Sequence, residues 1–258
     1  MKRARRPRRR KTIGLTLAGI CLLIAAAWAG GFFFLHDSSQ AASISQALRL
    51  YRAGEHGSGR LDGVYVYATK GSESIDALGG ATHVYPARTS ITVTAVPCGI
   101  ELRWAALERR STIWTFCSTA AGVELRSSDE RHAFFNLSDH TVYVCEGRLL
   151  IPKHPVAGAS RPFTCRSSTN LEVGEARVIG FDTFDAGGRR VRALRVRTDL
   201  TVRKHDSGSE SIEWWLDPGT ALPLRIELRS RTSRKLWVGR VEYREDFNLR
   251  LTSLTPLR

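Results

Sequence analysis

The sequence predicts a mainly β protein that begins with a transmembrane helix, continues with a short helix and ends in an antiparallel sheet. Three observations predict this class. Residues 1–11 are strongly basic, residues 12–35 carry no charge, and from Leu61 onward apolar and polar residues alternate in successive segments. Alternation with a period of two places every second side chain on one face of a sheet, which is typical of antiparallel strands with one buried and one hydrated face.

The amino-terminal segment predicts a membrane anchor. Residues 1–11 contain eight Lys and Arg residues and no acidic residue. Residues 12–35 would span about 36 Å as a helix, which exceeds the roughly 30 Å hydrocarbon core of a bilayer. Because Lys and Arg stay on the cytoplasmic side, we expect a cytoplasmic tail at 1–11 and a single-pass protein of the cell membrane whose carboxyl-terminal domain is extracytoplasmic. The alternative is a cleaved signal peptide, for which residues 39–42 supply small side chains.

The net charge argues for a membrane protein rather than a nucleic-acid-binding one. Eight of the positive charges that make up the formal net charge of +14 lie in the tail, which leaves +6 for residues 12–258. A surplus of this size on a domain is mild and does not mark a nucleic-acid interface. The partners we expect are the cytoplasmic membrane, through the anchor, and a lipid or another envelope protein, with no nucleic acid.

Residues 36–60 predict a linker and a short helix. Ile44, Ala47, Leu48 and Tyr51 recur at helical spacing, and the glycine-rich stretch that follows ends the pattern.

Residues 61–258 predict one extracytoplasmic β-rich domain. Alternation is clearest at residues 194–202 and 222–228. The proline- and glycine-containing stretch 154–170 predicts a soft seam between a half with cysteines and a half without them. Clusters of Asp, Gly and Pro predict hairpin turns at residues 185–188, 206–209 and 217–219.

Four cysteines follow the predicted anchor, at Cys98, Cys117, Cys145 and Cys165. An even number in an oxidising compartment favours two disulfides, with three connectivities open from the count alone. We expect Cys98 to pair with Cys117 and Cys145 to pair with Cys165, because each pair brackets one local strand-loop-strand unit. No metal site is expected, since no pair has C-x-x-C spacing and no histidine doublet accompanies the cysteines.

The common catalytic motifs are absent from the sequence. It contains no G-x-S-x-G elbow, no H-E-x-x-H, no P-loop and no G-x-G-x-x-G. We therefore predict neither an enzyme nor a cofactor. His132 and His140 flank Asp139 and follow Glu130, which would allow an acid–base or metal site, but single surface histidines in loops are commoner than such sites and we predict none here.

Strand parity selects candidate ligand-binding residues. An apolar groove on the concave side of a curved sheet is a place where an acyl chain can bind. On this basis Trp214, Leu224, Ile226 and Val241 are the predicted ligand-binding residues, each sharing the parity of apolar neighbours in its own strand. The competing interpretation is that the same side chains fill a closed core and leave no cavity.

Residues 214–227, WWLDPGTALPLRIE, resemble the W-x-D-P-x-T-G-L-P-L-R hairpin of periplasmic lipoprotein-carrier-like proteins and of the related sigma-factor-regulatory sensor family. Residues 247–256 resemble the closing strand of those proteins. The resemblance implies a helix followed by a curved antiparallel sheet or incompletely closed barrel, whose concave face binds lipid or acyl chains. Ala221 stands where that motif has glycine, and the lid helices of the carriers are not visible.

The cysteine-containing middle of the chain resembles a different group, an uncharacterised type of actinobacterial single-pass membrane protein. The landmarks are the dipeptides Gly79-Gly80, Tyr85-Pro86, Cys98-Gly99 and Arg103-Trp104. We predict from the whole sequence a non-catalytic, membrane-anchored extracytoplasmic binding domain for an apolar or acyl ligand. The alternative is an envelope module that contacts another protein or a cell-wall polymer and has no ligand pocket.

Overall fold

The computed structural model describes residues 39–54, 59–135, 137–236 and 239–258. The predicted tail and anchor, residues 1–35, lie outside these ranges, and their topology stays a prediction. Within the described ranges, no helix combines the length and the apolar content needed to cross a membrane. Residues 39–258 form one compact unit.

The predicted short helix is present as α1 (Ile44–Ala53). Ser43 caps its first turn, because the Ser43 Oγ accepts a hydrogen bond from the backbone N–H of Gln46 at 3.3 Å. Serine is favoured at this position since its oxygen satisfies an N–H that has no partner within the helix. None of the side chains of α1 is buried, so the core is built by the strands.

Fourteen strands make up most of the described chain, and a single 3-10 turn (Ala77–Gly79) follows the first. The strands are β1 (Gly63–Ile75), β2 (Ala81–Val84), β3 (Arg88–Val96), β4 (Gly99–Leu107), β5 (Arg110–Thr119), β6 (Gly122–Phe134), β7 (Leu137–Glu146), β8 (Leu149–Pro152), β9 (Ser160–Arg166), β10 (Asn170–Ala186), β11 (Arg189–Lys204), β12 (Asp206–Leu216), β13 (Pro223–Leu236) and β14 (Gly239–Leu251).

The strands form one antiparallel sheet whose path closes into a ring. Their order is β14-β13-β12-β11-β10-β9-β7-β6-β5-β4-β3-β1-β2, with β8 beside β6. β1 also pairs with β14, from Tyr67 opposite Leu251 to Ile75 opposite Tyr243. The narrowest junction is between β7 and β9, which share three residue pairs. The mainly β, antiparallel architecture is therefore confirmed, and the ring of strands replaces the open edge that the resemblance implied.

Two of the three predicted hairpin turns are confirmed and one is wrong. Residues 185–188 and 217–219 form turns in which an aspartate side chain accepts a backbone N–H. Residues 206–209 instead belong to β12 and pair with both β11 and β13. Gly208 serves close packing there, because a Cβ at this position would lie 2.1 Å from the carbonyl oxygen of Arg231.

Both predicted disulfides are present in the structure. Cys98, just before β4, is bonded to Cys117 in β5. Cys145 in β7 is bonded to Cys165 in β9. The second bond therefore crosses the narrow β7–β9 junction, where the two cysteines form one of the three residue pairs.

Candidate functional site

One half of the ring's interior is a packed apolar core. Trp104 and Trp114 stack with ring centres 6.4 Å apart, and Trp214 meets Trp114 edge-on at 5.4 Å. Leu224 and Ile226 are fully buried in the same cluster. Three predicted ligand-binding residues, Trp214, Leu224 and Ile226, thus lie inside packed protein, and their binding role stays a prediction.

The other half of the interior contains a cavity of about 320 Å³. Ligand sites are typically clefts of roughly 300–1,000 Å³, so this space suffices for a small ligand. The inward side chains of β14 show the change from core to cavity, running from Phe247 through Glu245 and Tyr243 to Val241. The last three line the cavity. Val241 is therefore the one predicted ligand-binding residue that the structure places in a cavity wall.

Exposed leucines surround the mouth of the cavity. Leu78 lies in the 3-10 turn after β1, Leu137 at the start of β7 and Leu236 at the end of β13. All three line the cavity, yet they are 59%, 71% and 40% exposed. Leucines this exposed leave apolar surface in contact with water. The mouth therefore offers apolar contacts above a more polar interior.

A buried carboxylate, Glu73, lies beneath the cavity. Its oxygens accept hydrogen bonds from His83 Nδ1 at 3.0 Å, His132 Nδ1 at 3.1 Å and the Tyr243 hydroxyl at 3.1 Å. Burial alone would raise the pKa of Glu73. The hydrogen bonds from the two histidines and the charges of His132 and Arg110 outweigh burial and lower this pKa to about 2. Glu73 is therefore ionised, and its donors are fixed around it.

A second buried carboxylate, Glu245, is paired with arginine. Arg110 Nε lies 3.0 Å from Glu245 Oε1 and Arg110 Nη2 lies 2.9 Å from Glu245 Oε2. The Tyr85 hydroxyl also donates to Glu245. Two-pronged pairing of this kind satisfies both ions in a position from which water is excluded. The positive charge of Arg110 is thus already neutralised.

Three further carboxyl groups line the cavity with much less compensation: Glu130 on β6, Glu172 on β10 and Glu210 on β12. Burial, the largest influence, raises the pKa of Glu172 to about 8 despite the nearby charge of Arg148. Burial also raises the pKa of Glu210 well above its ordinary value, and the charges of Glu130 and Glu172 raise it further. Uncompensated carboxyl groups in one cavity share protons rather than all ionising together.

An arginine at the rim is held by two aspartates. Arg234 Nε lies 2.5 Å from Asp206 Oδ1, and its Nη2 lies 2.9 Å from Asp206 Oδ2. The same Nη2 is 3.4 Å from Asp139 Oδ2. Asn170 supports this arrangement, since its amide donates to Asp206 at 2.6 Å. The charge of Arg234 is consequently directed at these aspartates and away from the three glutamates.

The imidazole of His132 is engaged in the hydrogen-bond network around Glu73. His132 is bonded to Glu73 and Tyr243, and within the described residues no Ser, Thr or Cys side chain is hydrogen-bonded to it. No group of three or more His, Cys, Asp or Glu side chains in the same ranges could hold a metal ion. The arrangement can receive a ligand through shape, apolar contact and charge.

A second depression, of about 500 Å³, lies on the outer face beside the 3-10 turn. Its carboxylate Glu242 is already paired with Arg231 and Arg244. Asp76 there accepts the backbone N–H of Glu242 at 2.7 Å. Because these groups satisfy one another, we place the candidate site in the interior cavity.

Sequence analysis missed Glu73, Glu172 and Glu210, and it set aside Glu130 with His132. A usable signal exists in the strand parity. Glu210 has the same parity as Ile212 and Trp214 in β12, which are buried. A glutamate that shares the parity of buried apolar residues is uncommon because burying a charge is costly. Such positions indicate the polar interior that a search for apolar ligand contacts overlooks.

Comparison with known proteins assigns no family to the chain. No family model matches the chain, and no curated protein matches it. Among solved structures, the hypothetical lipoprotein YmcC from Escherichia coli is similar at 11% identity and a TM-score of 0.33, over 80% of this chain and 96% of that one.

Proposed function

We propose that the β-rich unit is a non-catalytic, extracytoplasmic binding domain, held at the cell membrane by the predicted anchor, which takes a small amphiphilic ligand into the interior cavity. The observation that carries this proposal is the 320 Å³ cavity with an apolar mouth and a polar interior. An apolar or acyl portion would contact Leu78, Leu137 and Val241. A polar group would reach the glutamates deeper in the ring.

The extracytoplasmic placement is supported by two features of the chain. Stable disulfides form in oxidising compartments outside the cytoplasm, and both predicted bonds are present. The basic tail before an uncharged run of helix-spanning length favours the same orientation.

The alternative function is an envelope interaction module that binds another protein or a wall polymer. The exposed leucines at the mouth are the observation that favours it, because exposed apolar surface also marks protein contacts. The two functions differ in whether the interior of the ring is used.

Native mass spectrometry of the full chain released from micelles separates these functions. We expect a retained small-molecule adduct in the wild type after incubation with a short alkyl amphiphile. Val241→Trp should abolish the adduct because the indole fills the cavity. Val156→Trp is the matched control, since Val156 is 63% exposed and does not line the cavity. An adduct that persists in Val241→Trp, or no adduct in any variant, would reject the binding function.

A further inference from the structure

We propose that the polar group of the ligand is a cation, an alkylammonium or guanidinium group, received by Glu130, Glu172 and Glu210 while its apolar part occupies the mouth. This inference rests on the proposed function and specifies the chemical class of ligand for the same cavity.

Among the three glutamates, Glu210 has the carboxyl group with the fewest partners. It lines the cavity, and within the described residues its carboxyl group forms no hydrogen bond or ion pair. Its strand pairs place it between Leu200 of β11 and Ser230 of β13, so the side chain shares the inward face with Ile212. The side chain is half-buried, and its carboxyl group, without a partner in the described chain, is open to a ligand that enters the cavity.

The two neighbouring carboxyl groups are only partly compensated. Glu172 is buried and hydrogen-bonded to Tyr143, which lowers its pKa against the larger effect of burial. Its ion-pair partner in the described chain is Arg148, whose Nη1 lies 3.9 Å from Glu172 Oε2. Glu130 accepts one hydrogen bond, from Ser128 Oγ at 3.2 Å. Arg148 is therefore the positive charge that stands against three carboxyl groups, one each on β6, β10 and β12.

The other charged groups that face the cavity do not pair with these three carboxyl groups. Arg110 is engaged with Glu245, and Arg234 with Asp206 and Asp139. The remaining titratable side chains that line the cavity are His132, Tyr143 and Tyr243. Two of these, His132 and Tyr243, are hydrogen-bonded to Glu73. The polar groups left for a ligand are thus carboxyl groups, which can ionise beside a cation and which oppose a carboxylate or phosphate.

The raised pKa values of the carboxyl groups link binding of a cation to pH. Burial raises the pKa of Glu172 to about 8, so this carboxyl group retains its proton near neutral pH, and burial also raises the pKa of Glu210 above its ordinary value. A bound cation stabilises their ionised forms and displaces bound protons. Binding of a permanently charged cation should consequently release protons and strengthen as pH rises.

The apolar mouth completes the description of the ligand. A simple inorganic cation would gain nothing from Leu78, Leu137 and Leu236, and the described chain offers no metal-ligand cluster. An amine or guanidine with a short hydrocarbon portion uses both parts of the cavity. Contact with the leucines removes the hydrocarbon portion from water and so favours binding.

Isothermal titration of the full chain in lipid nanodiscs, with empty nanodiscs subtracted, tests this class. The probes are hexylammonium, hexyltrimethylammonium, hexanol and hexanoate, which share one hydrocarbon length. We expect hexylammonium to bind at least tenfold more tightly than hexanol and hexanoate to bind most weakly. Binding of hexyltrimethylammonium, which carries no titratable proton, should show a buffer-dependent enthalpy that reports proton release.

Glu210→Gln should weaken hexylammonium about tenfold and leave hexanol unchanged. Glu108→Gln, which removes an exposed carboxylate in the β4–β5 turn, is the matched charge control and should have no effect. Glu130→Gln provides a second variant should Glu210→Gln fold poorly. Equal binding of all four probes, or full hexylammonium affinity in Glu210→Gln and Glu130→Gln, would overturn the cation inference alone. Absence of binding by every probe would overturn the proposed function as well.

Discussion

Truncation of Ile226 and of Val241 should have opposite consequences for stability and for binding. Ile226 is fully buried and lies opposite Trp214 of β12 and Leu249 of β14. Ile226→Ala removes three buried carbons, worth about 0.8 kcal/mol each, and leaves a void in the packed core beside Trp214. The expected loss in the free energy of unfolding is about 2–5 kcal/mol.

Val241 has one methylene fewer but a different environment. It is half-buried and faces the cavity, so Val241→Ala creates no new void in packed protein. Two carbons at about half burial give a loss of about 0.8 kcal/mol. The same substitution widens the cavity and should weaken binding of hexylammonium, which Ile226→Ala should leave nearly intact in the folded protein.

Urea unfolding of the full chain in detergent micelles, followed by tryptophan fluorescence, measures both stabilities, because Trp104, Trp114 and Trp214 report on the core. Titration in nanodiscs measures binding. A cost of Ile226→Ala no larger than that of Val241→Ala would refute the assignment of Ile226 to packed core. A selective loss of binding in Ile226→Ala would restore the original prediction that this residue contacts the ligand.

Four further outcomes are expected. Glu73→Gln should lower the free energy of unfolding in urea by about 3–5 kcal/mol, because it leaves buried donors around a neutral group. Since the pKa of Glu73 is lowered to about 2, the stability that the ionised carboxylate contributes is present above pH 4.5 and is lost as pH falls toward 2. The variant should lack that loss of stability in acid. Glu172 should show the opposite pH dependence. Its pKa is raised to about 8, so the wild type should lose stability as pH rises from 4.5 to 8, and Glu172→Gln should remove that loss. A variant whose stability falls with the same slope would contradict this reasoning. Replacing Cys145 and Cys165 together by Ser should lower stability by about 2–5 kcal/mol and open the β7–β9 junction to limited proteolysis; unchanged cleavage would count against it. A reporter active only in the cytoplasm, fused after Arg258, should stay silent, and a strong signal would reverse the predicted orientation.

The fold was predictable where a short-range pattern determines it. The alternation at 194–202 predicts β11, in which Leu194, Val196, Leu200 and Val202 are buried, because period two is a property of any strand with one inner face. Ring closure was not predictable, since the β1–β14 pairing joins segments far apart in sequence and leaves no periodic trace.

The candidate site was predictable only in part. Parity identified the inner face correctly for Ile226 and Val241, but parity is the same for a packed core and for a cavity wall. The difference depends on which side chains from other strands lie opposite. Ile226 belongs to the packed core cluster and lies opposite Trp214. Val241 lies beyond Glu245 and Tyr243, where the interior becomes polar. That information is contained in the whole ring and not in one strand.

The two halves of the interior also differ in what they contribute to stability. The tryptophan-rich half gains free energy from apolar burial, whereas buried ion pairs such as Arg110–Glu245 roughly break even against apolar replacements. Glu172 and Glu210 are worse than neutral, because each must stay protonated or lose stability as pH rises. Apolar side chains in place of these carboxyl groups would give a more stable protein, as the tryptophan-rich half of the ring shows. On the proposal made above, a cationic ligand supplies the missing charge, so that its binding recovers the stability that the unpaired carboxyl groups cost the protein.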